Sequence, residues 1–333
     1  MKQYDVYGIG NALVDTEYEV NDSFIAQAEL QKGVMTLINA QERQKLIQLL
    51  EEVHSHEVIH QSGGGSAANT MVAVTQFGAS SFYSCKVAND STGDFFMRDL
   101  EKIGVDTNLE ASRENGFSGQ CISMVTPDAE RTMTTHLGIS EALSVSDLNE
   151  EAIRNSKFLY IEGYLVTSPS AFEAALKAQQ IARDAGVAVS LTLSDPAIVE
   201  NFKPAFDQFA ENGVDLVFCN EDEAMIWTGS NTADEAFSKL CTVCNRAAMT
   251  CGKKGAIVFD GITQATVPGT PTDAVDTTGA GDIFAGVFLA SISNGDPFET
   301  AAEMANKAAS LLVSNFGARL NTEAAHSVKA NAS

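Results

Sequence analysis

A small, glycine-bearing turn runs directly into an apolar helix at residues 276–286, whose sequence is DTTGAGDIFAG. Unpaired N–H groups and the positive end of the dipole stabilise an anion at a helix N-terminus, and Gly279, Ala280 and Gly281 leave room for a phosphate. Asp282 stands among these first helical residues, where a carboxylate can accept a hydroxyl proton. The segment therefore predicts a phosphate-binding turn beside an acid. The alternative is a tight turn with a first-turn acid that only stabilises the helix.

A second glycine loop enters a helix at residues 63–69, GGGSAAN. Glycines allow the backbone to approach a ligand closely, and Asn69 brings a side-chain amide to the start of the helix.

Two common nucleotide motifs are absent. Gly8 and Gly10 are not followed by the third glycine of a Rossmann fingerprint, and the 252–255 segment GKKG lacks Walker A spacing. Neither a dehydrogenase nor a P-loop enzyme is indicated.

Together, GGSAAN and DTTGAGDIFAG resemble the two signatures of the pfkB, or ribokinase-like, carbohydrate kinase family, in the family's order. The resemblance implies an ATP-dependent kinase with Asp282 as catalytic base and with residues 279–281 as the anion hole. It also implies substrate contacts, which would come from Asn11, Asp15, Gly64, Gly65, Ser66 and Asn69. The attacking hydroxyl would thereby be held in line with the γ-phosphate.

Further matches to the family concern ATP and metal ions. Asn220 and Glu223 match its NxxE motif, so that Glu223 would organise Mg²⁺, usually through water. The other matches are Thr250, Gly252 and Gly255 as ATP contacts, Asn306 near the adenine, Arg131 over the phosphates, and Asp276 and Thr278 at a monovalent cation (K⁺) site. Helix capping by Glu223 and a surface position for Arg131 are the alternatives.

The elements that must position these residues alternate between strand and helix. Strands are predicted near residues 4–9, 81–87, 157–161, 187–193, 215–218 and 256–259, with helices between them. This order indicates an α/β fold with a mostly parallel central sheet, helices on both faces, and ligands at the carboxyl ends of the strands. We expect a single kinase domain over residues 1–333. Segments around 12–38 and 105–136 would form a small β-sheet lid, as in ribokinase-like proteins.

Composition limits the partners. The chain has 44 acidic and 21 basic residues, a net charge of −23 spread without a tail or block, which argues against nucleic acid as a partner. No signal peptide or membrane span is evident, and we expect a cytoplasmic protein that is a monomer or a homodimer. The six cysteines fit reduced thiols. Cys241 and Cys244 share one helical face with Phe237 and Leu240, which favours core packing over a zinc site.

The acceptor is the least constrained part of the function. The stretches YDVYGIGNALVD, YIEGYL and TLSDP look most like bacterial adenosine-kinase-like members of the family. Adenosine or another purine nucleoside, phosphorylated at the 5′-hydroxyl, is therefore the first hypothesis. Leu37, Leu137 and Tyr164 are candidates to line the base cleft. A kinase of a free sugar such as ribose or fructose, and a non-catalytic ligand-binding relative, are the alternatives.

Overall fold

The computed structural model describes residues 3–53, 58–110, 113–128 and 130–330. Its strands are β1 (Tyr4–Ile9), β2 (Leu13–Glu19), β3 (Met35–Leu37), β4 (His60–Gly64), β5 (Ser81–Ser84), β6 (Asp106–Thr107), β7 (Gly119–Val125), β8 (Arg131–His136), β9 (Ser156–Ile161), β10 (Ala188–Thr192), β11 (Leu216–Asn220), β12 (Arg246–Thr250), β13 (Gly255–Phe259) and β14 (Gln264–Pro268).

The α-helices are α1 (Asp22–Gln27), α2 (Ala40–Val53), α3 (Ser66–Gln76), α4 (Ser91–Ile103), α5 (Glu150–Arg154), α6 (Pro169–Asp184), α7 (Pro196–Glu211), α8 (Glu221–Thr228), α9 (Ala233–Val243), α10 (Ala280–Ser293), α11 (Phe298–Val313) and α12 (Thr322–Ala330). Short 3-10 turns lie at Gly138–Ala142, Val145–Asp147, Gly163–Thr167 and Gly252–Lys254. Among the described residues, no helix combines the length and apolarity needed to cross a membrane.

A large sheet has the strand order β14-β13-β12-β11-β10-β9-β1-β5-β6 over the described residues. Its strands pair in parallel except at the β12–β13–β14 edge, where pairing is antiparallel. One buried apolar cluster lies where α3, α10 and α11 cover one face, and a second lies under α6, α7 and α9 on the other face. The predicted fold, a mostly parallel sheet between two helical layers, is confirmed.

A smaller sheet, within the described ranges, has the order β3-β8-β7-β2-β4. Strands β2, β3, β7 and β8 come from the two segments predicted for the lid, whereas β4 comes from outside them and β6 joins the large sheet. Residues 111, 112 and 129 of the predicted lid lie outside the described residues. A second small sheet is thus present, while its action as a lid stays a prediction.

Helix α10 is buried almost throughout because its sequence, AGDIFAGVFLASIS, is apolar on every face after the first turn. Gly286 lets α3 approach closely, since a Cβ atom there would lie 2.5 Å from the carbonyl oxygen of Thr70. The two helices that begin at the two glycine loops therefore pack side by side. This contact places the N-termini of α3 and α10, and with them the two glycine loops, next to each other.

The cysteine pair behaves as predicted. Cys244 is buried in the core at the end of α9, and Cys241 packs against the same apolar cluster. The described part of the chain contains no group of His, Cys, Asp and Glu side chains suited to hold a metal ion on its own. These two sulfurs thus contribute to the packing of α9.

Candidate active site

A cleft of about 1080 Å³ lies at the carboxyl ends of the strands of the large sheet and extends to the small sheet. Its lining includes most of the predicted site: Asn11, Asp15, Gly65, Ser66, Asn69, Leu137, Asn220, Glu223, Thr250, Gly252, Thr278, Gly279, Ala280, Gly281 and Asp282. Residues separated by more than 270 positions in the chain thus share one cavity, as the family resemblance implied.

Asp282 lies in the first turn of α10 and faces the start of α3. The Ser66 hydroxyl donates to its Oδ1 at 2.7 Å, and the Asn69 amide donates to its Oδ2 at 3.0 Å. Helix α10 begins after Gly279, whose φ of +76° is the left-handed conformation that glycine adopts most readily. Gly281 has open space where a Cβ would stand. The turn and the acid are therefore directly accessible from the cleft.

The second loop turns at Gly65, where φ is +96°. Gly64 precedes it in β4, and its Cα packs directly against the carboxylate of Asp15 in the paired strand β2. Among the described residues no hydrogen-bond donor reaches that carboxylate, although Arg319 and His60 act on it electrostatically. Asp15 is therefore free to accept hydrogen bonds from ligand hydroxyls.

Glu162 is a site residue that the sequence interpretation missed. It follows β9 directly, is buried, and accepts hydrogen bonds from the backbone N–H and the side-chain amide of Asn11 and from the N–H of Ala67. Burial raises its pKa to about 7, and these three donors oppose the rise. Glu162 thus ties the β1–β2 loop to the glycine loop. The rule that ligands collect where parallel strands end could have identified it.

Asn220 and Glu223 form a reciprocal cap at the start of α8. The N–H of Glu223 donates to Asn220 Oδ1, and the backbone and amide N–H groups of Asn220 donate to the two oxygens of Glu223. Burial raises the pKa of Glu223 to about 7, with the nearby Asp195, Asp222 and Asp282 adding to the rise. The capping alternative is therefore realised, and the same carboxylate also lines the cleft.

Predicted ATP contacts divide into two groups. Thr250 and Gly252 line the cleft, whereas Gly255 and Asn306 are not among the lining residues. A Cβ at Gly255 would collide with the backbone of Val267, so this glycine serves the β13–β14 packing. The Asn306 amide donates to the carbonyl groups of Val267 and Pro268, which holds β14 against α11.

Arg131 and Asp276 pair with each other outside the main cleft. Arg131 Nη1 lies 3.1 Å from Asp276 Oδ2, and its guanidinium stacks 4.9 Å from the ring centre of Phe316. The other donors to Asp276 are the N–H and hydroxyl of Thr278 and the N–H of Gly317. Asp276 is thus already neutralised by a guanidinium, and both phosphate contact by Arg131 and a K⁺ site here stay predictions.

The model of the pfkB family of carbohydrate kinases matches residues 34–325. The chain belongs to this family.

The relatives of this pfkB kinase include nucleoside and sugar kinases. The adenosine kinase structure from Sinorhizobium meliloti is 32% identical, with a TM-score of 0.86 and 99% of each chain covered. A probable sugar kinase from Rhizobium etli CFN 42 is 31% identical, with a TM-score of 0.87 and the same coverage. Adenosine kinase from Saccharomyces cerevisiae is 26% identical, covering 93% of this chain and 94% of its own. This pfkB kinase is therefore an ATP-dependent phosphotransferase acting on a sugar or nucleoside hydroxyl.

The residues of this pfkB kinase are compatible with magnesium bound together with ATP. Mg²⁺ in phosphoryl-transfer sites is usually held by one or two carboxylates, phosphate oxygens and several waters, so a cluster of protein ligands is not required. Glu223 supplies a buried carboxylate at the cleft wall, and each of its oxygens keeps a lone pair after capping. When bound, the ion would neutralise phosphate charge in this acidic protein.

The pH profile of this pfkB kinase should reflect the raised pKa values of Asp282 and Asp15. Burial raises the pKa of Asp282 to about 6, against the lowering effect of Ser66, Asn69 and Arg319, and burial raises the pKa of Asp15 to about 6 as well. The roles expected from the sequence, base for Asp282 and sugar contact for Asp15, both need the ionised carboxylate, so kcat/KM should fall as the pH drops through about 6. We expect this in initial rates measured with circular dichroism at each pH. Full activity in the folded enzyme near pH 4, the ordinary range of an aspartate, would contradict it.

Proposed function

We propose that this kinase phosphorylates a purine nucleoside, adenosine first, at its 5′-hydroxyl, with Asp282 as the general base. The observation that carries the proposal is the composition of one cleft. It combines an acid at an open glycine turn, a carboxylate without protein donors at Asp15, and an apolar wall beside Asp15. The acid and the turn suit the transferring phosphate, Asp15 suits the sugar, and the apolar wall suits the base.

The acid and the turn suit the transfer step. Asp282 would accept the proton of the 5′-hydroxyl while that oxygen bonds to the γ-phosphorus of ATP. The bond between that phosphorus and the bridging oxygen breaks, and ADP leaves. The amides of residues 279–281 would stabilise the charge on the transferring phosphoryl oxygens. The hydrogen bonds from Ser66 and Asn69 keep the base in one orientation for this step.

Asp15 and Asn11 suit the sugar. Vicinal hydroxyls can donate to both oxygens of a carboxylate, and Asp15 has its carboxylate available at the cleft. Asn11 is buried and fixed by Glu162. A rigid amide beside a carboxylate is the kind of arrangement that selects a diol in one orientation. Gly64 supports it, because only a glycine fits against Asp15 at that position.

The apolar wall favours a nucleoside over a free sugar. Met35 and Leu37 in β3 line the cleft, yet 51% and 65% of their surfaces are exposed. Leu13 and Leu137 line the same cavity. Large exposed apolar side chains in a binding cleft indicate a flat apolar ligand group, and a purine base is such a group. A free pentose or hexose would leave this wall uncovered.

The acceptor is tested by ADP release measured with adenosine, inosine, guanosine, ribose and fructose, with magnesium and with or without potassium. We expect adenosine to give the highest kcat/KM. Replacing Leu37 with alanine should then raise the KM for adenosine about tenfold, since removing most of a leucine side chain that the bound base would cover costs on the order of 1.4 kcal/mol or more. Ile262→Ala, at an exposed apolar residue outside the cleft lining, is the matched control.

Two outcomes would overturn the nucleoside assignment. Preference for ribose or fructose, with no effect of Leu37→Ala, would establish a free-sugar kinase. Absence of ADP release with every one of these acceptors would favour the non-catalytic relative.

A further inference from the structure

Arg319 is a buried cation beside the candidate site that no motif of the sequence indicated. It lies in the loop between α11 and α12, and its side chain is only 12% exposed. Its Nη1 pairs with Asp99 in α4, and its Nε donates to the Asn69 Oδ1 atom at 2.7 Å. Desolvating a guanidinium is costly even when it is paired, so this ion pair is weak evidence for a purely stabilising role.

The contact with Asn69 determines which way the Asn69 amide points. An arginine Nε–H can only donate, so the amide must present its oxygen to Arg319 and its nitrogen to the other side. On that side the Asn69 nitrogen donates to Asp282 Oδ2 at 3.0 Å. Without Arg319, the amide could rotate and present its oxygen to the carboxylate, which would be repulsive. The orientation of Asp282 thus depends on a residue that does not touch it.

The surroundings of Arg319 are built to hold it. Gly63 in β4 has no Cβ, and a Cβ there would collide with Asp99 and lie 2.9 Å from Arg319 Nη1. Asp99 anchors the guanidinium to α4, and Asn69 connects it to α3. The small sheet, helices α3 and α4, and the loop between α11 and α12 therefore meet at this one side chain.

Arg319 also supplies the positive charge that two site acids share. It lowers the pKa of Asp15 and of Asp282 against the stronger effect of burial, which raises both. The other groups that face these acids are Ser66, Asn69, Tyr160, Tyr164, Glu162 and Glu223 around Asp282, and His60 and Cys121 around Asp15. Among these neighbours, Glu162 and Glu223 are acids, and the Asp282 carboxylate raises the pKa of both. Arg319 instead favours the ionised forms of Asp282 and Asp15.

We propose that Arg319 is a positioning residue for phosphoryl transfer: it fixes the Asn69 amide so that Asp282 is oriented, and it provides the cation shared by Asp282 and Asp15. The inference rests on the proposed role of Asp282 as base. It predicts that the loss of Arg319 affects both the rate and its pH dependence. A residue that only stabilised the fold would not move the pH profile.

The test compares Arg319→Lys with the double variant Arg319→Gln/Asp99→Asn, which removes both charges of the ion pair so that Asp99 is not left without its partner. Adenosine phosphorylation is followed across the acid-to-neutral range, together with the melting temperature and ATP affinity. For the double variant we expect kcat/KM about 10²-fold lower, as small misplacements of reacting groups can cost that much. Its acid limb should move to higher pH. The lysine variant keeps the charge but lacks the planar fork, so its rate should fall without that movement.

The matched control is Arg113→Gln/Asp94→Asn, which removes another arginine–aspartate pair whose acid also lies in α4, with a 2.7 Å separation and outside the cleft lining. It should leave the rate and the pH profile unchanged. A folded double variant at Arg319 and Asp99 with normal kcat/KM would overturn the proposal, as would an equal loss at every pH. If Asp282→Asn itself keeps turnover, the proposed function fails instead. If Asp282→Asn is inactive and the Arg319 variants are normal, only this inference fails.

Discussion

Replacing Asp282 with asparagine should lower kcat by about 10²- to 10⁴-fold, the usual contribution of a general base. The change is nearly isosteric, and Ser66 and Asn69 remain to contact the side chain, so the fold and ATP binding should persist. An amide cannot accept the proton that the 5′-hydroxyl loses. The measurement is the rate of ADP formation at saturating ATP and nucleoside, with ATP affinity determined separately by calorimetry.

A matched control for this variant lies at the other end of the same helix. Asp296 follows α10 and accepts a hydrogen bond from the Ser291 hydroxyl at 2.6 Å, so Asp296→Asn also removes a serine-bonded carboxylate. Activity should be unaffected there. Near-normal turnover in Asp282→Asn would show that another group accepts the proton, and the proposed mechanism would be wrong.

Replacing Gly281 with alanine should remove activity without weakening the fold. A Cβ at Gly281 meets no protein atom within 4 Å, and the residue lies in the first turn of α10, where alanine is favoured over glycine by up to about 1 kcal/mol. The added methyl would instead stand in the predicted anion hole. We expect kcat to fall by about 10²- to 10³-fold, comparable to the loss of an oxyanion donor, with an unchanged or higher melting temperature.

The neighbouring Gly279→Ala separates the two effects. Gly279 has φ of +76°, and a Cβ there would lie 2.6 Å from the carbonyl oxygen of Ala318, so this variant should unfold at a lower temperature. Together the two variants distinguish a glycine required by the ligand from one required by the backbone. If Gly281→Ala keeps full activity, the turn does not bind the transferring phosphoryl group.

Local sequence identified the parts of the site that are contiguous in the chain. The glycine turn before α10 and the glycine loop before α3 each carry their own helix start, so their geometry follows from a few adjacent residues. The α/β fold followed from strand and helix alternation in the same way. What a local pattern could not supply is which helices pack together. The contact at Gly286 that brings Ser66 and Asn69 to Asp282 is visible only in three dimensions.

Glu162 and Arg319 show most clearly which site residues a local sequence pattern does not reveal. Glu162 stands after a strand in the stretch YIEGYL, but nothing in that stretch shows that its carboxylate is buried and bonded to Asn11. Arg319 follows a helix in a loop of ordinary composition, and its partner Asp99 is 220 positions away. Gly255 illustrates the opposite case, because a glycine that resembled an ATP contact is required by the packing of two strands. The roles of Glu162, Arg319 and Gly255 depend on burial and on contacts between distant parts of the chain, which the local sequence does not show.

The product of the reaction tests the proposed function most directly. Enzyme, magnesium, ATP and adenosine are incubated, and phosphorus NMR follows the phosphate groups. We expect the γ-phosphate signal of ATP to be lost while ADP and adenosine 5′-monophosphate form in equal amounts. Release of inorganic phosphate with no phosphorylated nucleoside, or phosphate found on a hydroxyl other than the 5′ position, would contradict it.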